Sequence, residues 1–79
     1  MEPLKQLGRN IKVMRVRRDL TQEELAVEAG LERSYTGAIE RGERNLSVIS
    51  LLKLARALSC SPNELLEGVR LGAGRRRKR

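Results

Sequence analysis

Residues 21–42 read TQEELAVEAGLERSYTGAIERG, two short amphipathic runs hinged at one glycine, Gly30. Thr21-Gln22-Glu23-Glu24 has the form of a capping box, in which Glu24 reaches back to the backbone amide of the capping threonine. The run continues to Ala29 and stops at Gly30, a residue free to take the left-handed conformation that ends a helix. A second run starts almost at once, from about Arg33 to Arg41, and stops at Gly42.

Two helices joined so tightly must cross steeply, and the crossing sets demands at fixed positions counted from Gln22. Ala26 has to be small because the second helix passes over it. Gly30 has to supply a positive φ, and Leu25, Ala29, Leu31 and Ile39 have to be apolar to hold the pair together. All are met, and the set describes a helix-turn-helix.

The rest of the chain builds outward from this pair. Leu4, Leu7, Ile11 and Met14 repeat at helical spacing and predict a first helix over about 4–18, with Pro3 near its first turn and Val13 and Val16 off the stripe. A fourth helix is predicted after Ser47 as cap, with Val48, Leu51, Leu52, Ala55 and Leu58 as its buried stripe. Ser61-Pro62-Asn63-Glu64 opens a short fifth helix, with serine as cap, proline at the first helical position and glutamate three residues on. No strand pattern and no internal repeat interrupts these runs. The expected architecture is all-α, five helices over residues 1–71, followed by a flexible basic tail at 72–79.

Composition agrees with short, close-packed helices. The chain has 79 residues with no Trp or Phe and one Tyr, so its core must be aliphatic. A domain of this size buries only about 60% of its unfolded surface, which predicts a thin stability margin. The net charge is +7, and five of the 17 basic side chains lie in Arg75–Arg79. A second basic group, Arg9, Lys12, Arg15, Arg17 and Arg18, lies near the start. Such a field favours polyanions.

The chemistry that is missing also narrows the function. There is no histidine, and the single cysteine, Cys60, can form neither an internal disulfide nor a metal set. No nucleophile–base pair or phosphate-cradling glycine loop is present, so neither an enzyme nor a cofactor is expected. No apolar run approaches the ~18–20 residues needed to cross a membrane, and no signal peptide is visible, which predicts a cytoplasmic protein without a membrane partner.

LTQEELAVEAG (20–30), RSYTGAIERGERN (33–45) and LLKLARAL (51–58) together resemble the Cro/repressor-type (XRE-like) helix-turn-helix regulators, restriction–modification controller proteins among them. The resemblance covers about residues 4–68 and implies a lambda-repressor-like bundle. It further implies a sequence-specific transcriptional regulator that binds palindromic operators in double-stranded DNA as a homodimer. In that family the third helix lies in the major groove, and half-sites are about one helical turn apart.

Carried onto this chain, the resemblance puts Gln22 on a phosphate and Glu32, Arg33 and Ser34 at the base-facing start of the recognition helix. Arg33 could fork onto guanine O6 and N7. Tyr35 and Arg41 match positions that usually hold the DNA backbone, and Arg44 and Asn45 should reach the sugar-phosphate rail or minor-groove edge. Arg15 and Glu40 match a structural salt bridge between the first and third helices. Ile49, Leu65, Leu66 and Val69 exceed what one small core needs and are expected at a dimer interface.

Four residues depart from the family pattern. Thr36 stands where a buried Val or Ile is usual, Glu32 where a Ser or Thr cap is usual, and Gly37 and Ala38 where larger polar residues face the groove. The recognition helix should therefore read with few side chains, mainly from its first turn, with help from DNA shape. An alternative class is an antitoxin-type or protein-interaction module, which neutralises a partner and represses its own operon. A cationic membrane-active peptide is a third, opposed by a basic tail without apolar residues.

Overall fold

The computed structural model describes residues 2–71, and the basic tail expected at 72–79 lies outside them. Five helices follow in order: α1 Pro3–Arg17, α2 Gln22–Ala29, α3 Arg33–Glu40, α4 Val48–Ala57 and α5 Pro62–Leu65. No strand occurs among the described residues.

Four of the five starts, those of α1, α2, α4 and α5, are made by a local cap. The Leu4 amide donates to the Glu2 carboxylate at 2.9 Å, with Pro3 in the first turn. The box at α2 closes in both directions: the Thr21 amide donates to Glu24 Oε1 at 2.8 Å and the Glu24 amide to Thr21 Oγ1 at 3.0 Å. Ser47 Oγ accepts from the Ser50 amide at 3.0 Å, and Glu64 Oε2 accepts from the Ser61 amide at 2.9 Å. Each such cap is worth about 0.5–2 kcal/mol, a large share of a thin margin.

Gly30 ends α2 at φ 72°, ψ 35°, and the Leu31 amide turns back to Ala26 O at 2.9 Å. Nothing lies within 4 Å of where a Cβ would stand at Gly30, so the backbone angle alone calls for glycine there. Gly8 is a glycine for the opposite reason. It sits in mid-helix, and an added Cβ would run into the carbonyls of Ile39 and Glu40. Bare backbone at Gly8 lets α1 lie directly on the end of α3.

The core is Leu7, Ile11, Leu25, Ala29, Ile39, Leu54, Ala55, Leu58 and Leu65. α1 packs on α3 and α5, α2 on α3 and α4, and α4 on α5. Fully burying one such aliphatic side chain contributes about 1.5–3 kcal/mol, and this layer replaces the aromatic core that the sequence lacks.

Two expectations about burial are corrected. On α4 the inward arc is Ser50, Leu51, Leu54, Ala55 and Leu58, while Val48 is 70% exposed and Leu52 45%. The spacing 51, 54, 55, 58 fits one helix face, and Val48 and Leu52 lie off that face. Leu65 is not a surface residue: it is fully buried beneath α1 and α4, so it cannot take part in a dimer face on the folded chain.

Asn10, unremarked in the sequence, ties down the end of α5. Its side-chain amide donates to Leu65 O at 2.8 Å and Glu67 O at 2.7 Å, while its oxygen accepts from Gln6 Nε2 at 2.8 Å. These are carbonyls a four-residue helix would otherwise leave unpaired.

Candidate nucleic-acid interface

The outer face of α2 and α3 is held from below by one charged group. Glu40, at the end of α3, is buried. Its Oε2 accepts from Arg15 Nε at 2.6 Å, and its Oε1 accepts from Arg15 Nη2 at 3.0 Å and Gln22 Nε2 at 2.9 Å. Arg15 Nη1 also donates to Leu20 O at 2.8 Å, so one guanidinium fastens α1, the turn before α2, and α3. Both carboxylate oxygens and the guanidinium fork are in use, which is the condition for a buried ion pair not to be a net cost. The expected Arg15–Glu40 pair is present, and Gln22 joins it.

At the start of α3, Glu32 occupies the cap position with φ −72° and ψ 146° but makes no capping bond with its side chain. The first amides of α3 thus keep their full partial positive charge, the property that makes a helix start attractive to phosphate. Arg33 and Ser34 are exposed on this mouth, as is Glu32. Thr36 is fully buried, and its hydroxyl donates to Glu32 O at 3.0 Å. A threonine thereby fits the place of a β-branched apolar residue without an unpaired hydroxyl.

Tyr35 is half-buried and packs against the core. Its hydroxyl donates to Ser50 Oγ at 3.2 Å, and the guanidinium of Arg44 stands 5.0 Å from its ring centre. Ring and guanidinium form a cation–π pair that draws the loop after α3 toward that helix. Ser50, itself bonded to Ser47 Oγ at 3.1 Å, was missed in the sequence. A polar residue on the inward arc of α4 is the signal that could have found it. Arg41 and Asn45 are exposed, and Arg41 Nε meets Glu43 Oε1 at 3.1 Å in an open pair of little energetic weight.

Gly37 and Ala38 are both buried. A Cβ on Gly37 would stand 3.3 Å from both Gln22 Oε1 and Arg41 Nη1, so these two side chains cover the glycine. Among the described residues no group of His, Cys, Asp and Glu is placed to hold a metal ion. Cys60 is half-buried at the end of α4; burial first, and the charge of Glu64 second, push its thiol upward in pKa, away from reactive thiolate.

The candidate dimer residues are divided by the fold. Ile49 is 61% exposed and Leu66 is exposed, whereas Val69 is half-buried against the core and Leu65 is internal. Val48 and Leu52 lie beside Ile49 on the outer face of α4.

A short α2, a glycine turn and an α3 with exposed Arg33 and Ser34 at its start form a helix-turn-helix in three dimensions, and residues 11–65 match the family of that description (HTH_3). The chain belongs to the helix-turn-helix family. It is a DNA-binding transcriptional regulator of the controller type and not an enzyme.

This helix-turn-helix regulator is similar to the control protein C.SmaI of Serratia marcescens, 43% identical over 76% of this chain and 71% of that one. It is similar to the control protein C.BamHI of Bacillus amyloliquefaciens at 36%, over 82% of each chain. Among solved structures it resembles the restriction–modification controller protein C.AhdI from Aeromonas hydrophila. The TM-score is 0.78 at 47% identity, with 78% of this chain and 94% of that chain covered. No helix among the described residues of the regulator is long and apolar enough to cross a membrane.

Proposed function

We propose that the regulator binds a palindromic operator as a dimer, with α3 in the major groove, and controls transcription of restriction–modification genes. The observation that carries this reading is the mouth of α3. Arg33 and Ser34 are exposed beside uncapped helix amides, on a helix fastened by Arg15 and Glu40. Arg33 reads guanine, and Ser34 serves a base or a phosphate. The start of α2 at Gln22 offers its backbone amide to a phosphate, and Arg41, Arg44 and Asn45 follow the sugar-phosphate backbone. Glu32 lies at the edge of the groove, where its charge turns away wrong sequences. Tyr35 holds Arg44 in position.

The dimer is proposed to form through the outer face of α4, using Ile49, Val48 and Leu52, with Leu66 and the exposed edge of Val69. Large apolar side chains in this number on one face are what an isologous contact would cover. The tail Arg75–Arg79, outside the described residues, is proposed to add affinity without specificity as a polycation. Each phosphate it neutralises should steepen the salt dependence of log affinity by about 0.9.

Selection of bound DNA from a random pool tests the reading. The expected winner is two-fold symmetric, with half-sites about one helical turn apart, and matches DNA upstream of the genes it controls. A pool without any enriched sequence would overturn it.

A further inference from the structure

We infer that Gln22 reads a base directly: its side-chain oxygen, which lies over Gly37, accepts from an exocyclic amine, adenine N6 or cytosine N4. This rests on the DNA-binding reading above and deepens it.

The argument begins at Glu40. Its carboxylate is locked to Arg15 by two bonds, of 2.6 and 3.0 Å, with the carboxylate side chain only 2% exposed. A carboxylate bonded through both oxygens to a guanidinium accepts hydrogen bonds there. The Gln22 side-chain amide stands 2.9 Å from Glu40 Oε1, so its nitrogen must face that oxygen. An amide turned the other way would set two acceptors against each other. The bond to Glu40 therefore fixes which end of the Gln22 amide is left for another partner, and that end is the carbonyl oxygen.

The second step is where this oxygen lies. It stands 3.3 Å from the point a Cβ on Gly37 would occupy. Gly37 is four residues after Arg33 on α3, hence on the same helix face. The oxygen sits one turn along from Arg33, where a side chain of the recognition helix itself would otherwise be. Arg41 Nη1 reaches the same point, also at 3.3 Å. The face thus carries a cation at Arg33, a fixed acceptor from Gln22, and a cation at Arg41.

In the major groove only adenine and cytosine offer an amine at the base edge; guanine and thymine offer carbonyl oxygens there. A fixed acceptor selects the first pair and repels the second. One helical turn is about 5.4 Å and a base-pair step about 3.4 Å, so the amine should lie within about two base pairs of the one Arg33 reads. Glycine at position 37 leaves room for both side chains that cover it. Even a methyl group would crowd both covering side chains.

The test uses the full chain and the sequence enriched from a random pool. The wild-type half-site should carry adenine or cytosine within about two base pairs of the guanine whose preference is lost in Arg33→Ala. Removing that amine, with purine in place of adenine or zebularine in place of cytosine, should weaken wild-type binding by about 5- to 150-fold. The same removal should leave Gln22→Ala binding unchanged, and selection with Gln22→Ala should lose preference at that position alone. Gly37→Ser, which puts a competing hydroxyl in the space, should alter preference at the same position, and it carries the test should Gln22→Ala fold poorly.

Equal weakening of all sequences by Gln22→Ala would overturn the inference and leave Gln22 a backbone contact. Equal cost of the missing amine to wild type and variant would overturn it too. In both outcomes DNA binding stands. A wild-type pool with no enriched sequence would remove the DNA-binding reading and this inference with it.

Discussion

The two exposed faces of this small bundle are built in opposite ways. The α2–α3 face is polar and held by long-range bonds: Glu40 joins Arg15 and Gln22, Tyr35 reaches Ser50, and Arg44 covers Tyr35. The outer face of α4 is apolar and bare, with Val48, Ile49 and Leu52 exposed and no polar group fixing them. A face that reads sequence needs its donors and acceptors held to fractions of an ångström, and buried hydrogen-bonded charges do that. A face that meets another copy needs only complementary apolar area. The chain puts its buried polar bonds where orientation matters and its surplus apolar surface where it does not.

The sharpest way to break the contrast is to charge one leucine that belongs to neither face. Leu65→Asp should abolish folding, because it buries an unpaired carboxylate in a fully closed core. Circular dichroism would check this, and a folded variant would return Leu65 to the surface.

Next in size is the polar face. Glu40→Ala should lower stability by about 3–5 kcal/mol, since it leaves the Arg15 guanidinium buried without its partner. Denaturant titration is the measurement. A loss near zero with binding abolished would mean that Glu40 touches DNA.

Arg33 is proposed to contribute to binding rather than folding. Arg33→Ala should cost about 1–3 kcal/mol on the selected site and relax preference at one base pair per half-site, with an unchanged melting temperature. Uniform loss over all sequences would make it a phosphate contact.

The apolar face should give the smallest change in stability and a clear change in mass. Ile49→Asp and Leu52→Asp should each leave the unfolding free energy of the subunit within about 0.5 kcal/mol, apart from any contribution of association. Sedimentation should show single subunits for the variants and the proposed pair for the wild type. If both variants keep the wild-type mass and palindrome affinity, the contact lies elsewhere.

The helices, their order and the turn between α2 and α3 were legible in the sequence because their causes are local. Thr21 and Glu24 cap each other across three residues, Ser47 caps α4, Pro62 and Glu64 open α5, and Gly30 takes an angle that no neighbour imposes. Arg33 and Ser34 could be placed at the mouth of α3 for the same reason. The Arg15–Glu40 pair was legible only through family resemblance, since nothing local links residues 25 apart.

What only the tertiary structure decided is set by neighbours distant in sequence. The inward arc of α4 depends on which side α2 and α5 pack, so Ser50 turned in and Val48 and Leu52 turned out. Leu65 became core because Asn10, 55 residues away, pulls the end of α5 onto α1. Gly8 is explained by the carbonyls of α3 lying on it, and Gly37 by Gln22 and Arg41 meeting above it. Periodicity tells that a helix has an apolar side; the angle at which helices cross decides which atoms that side meets, and so where Gln22 points.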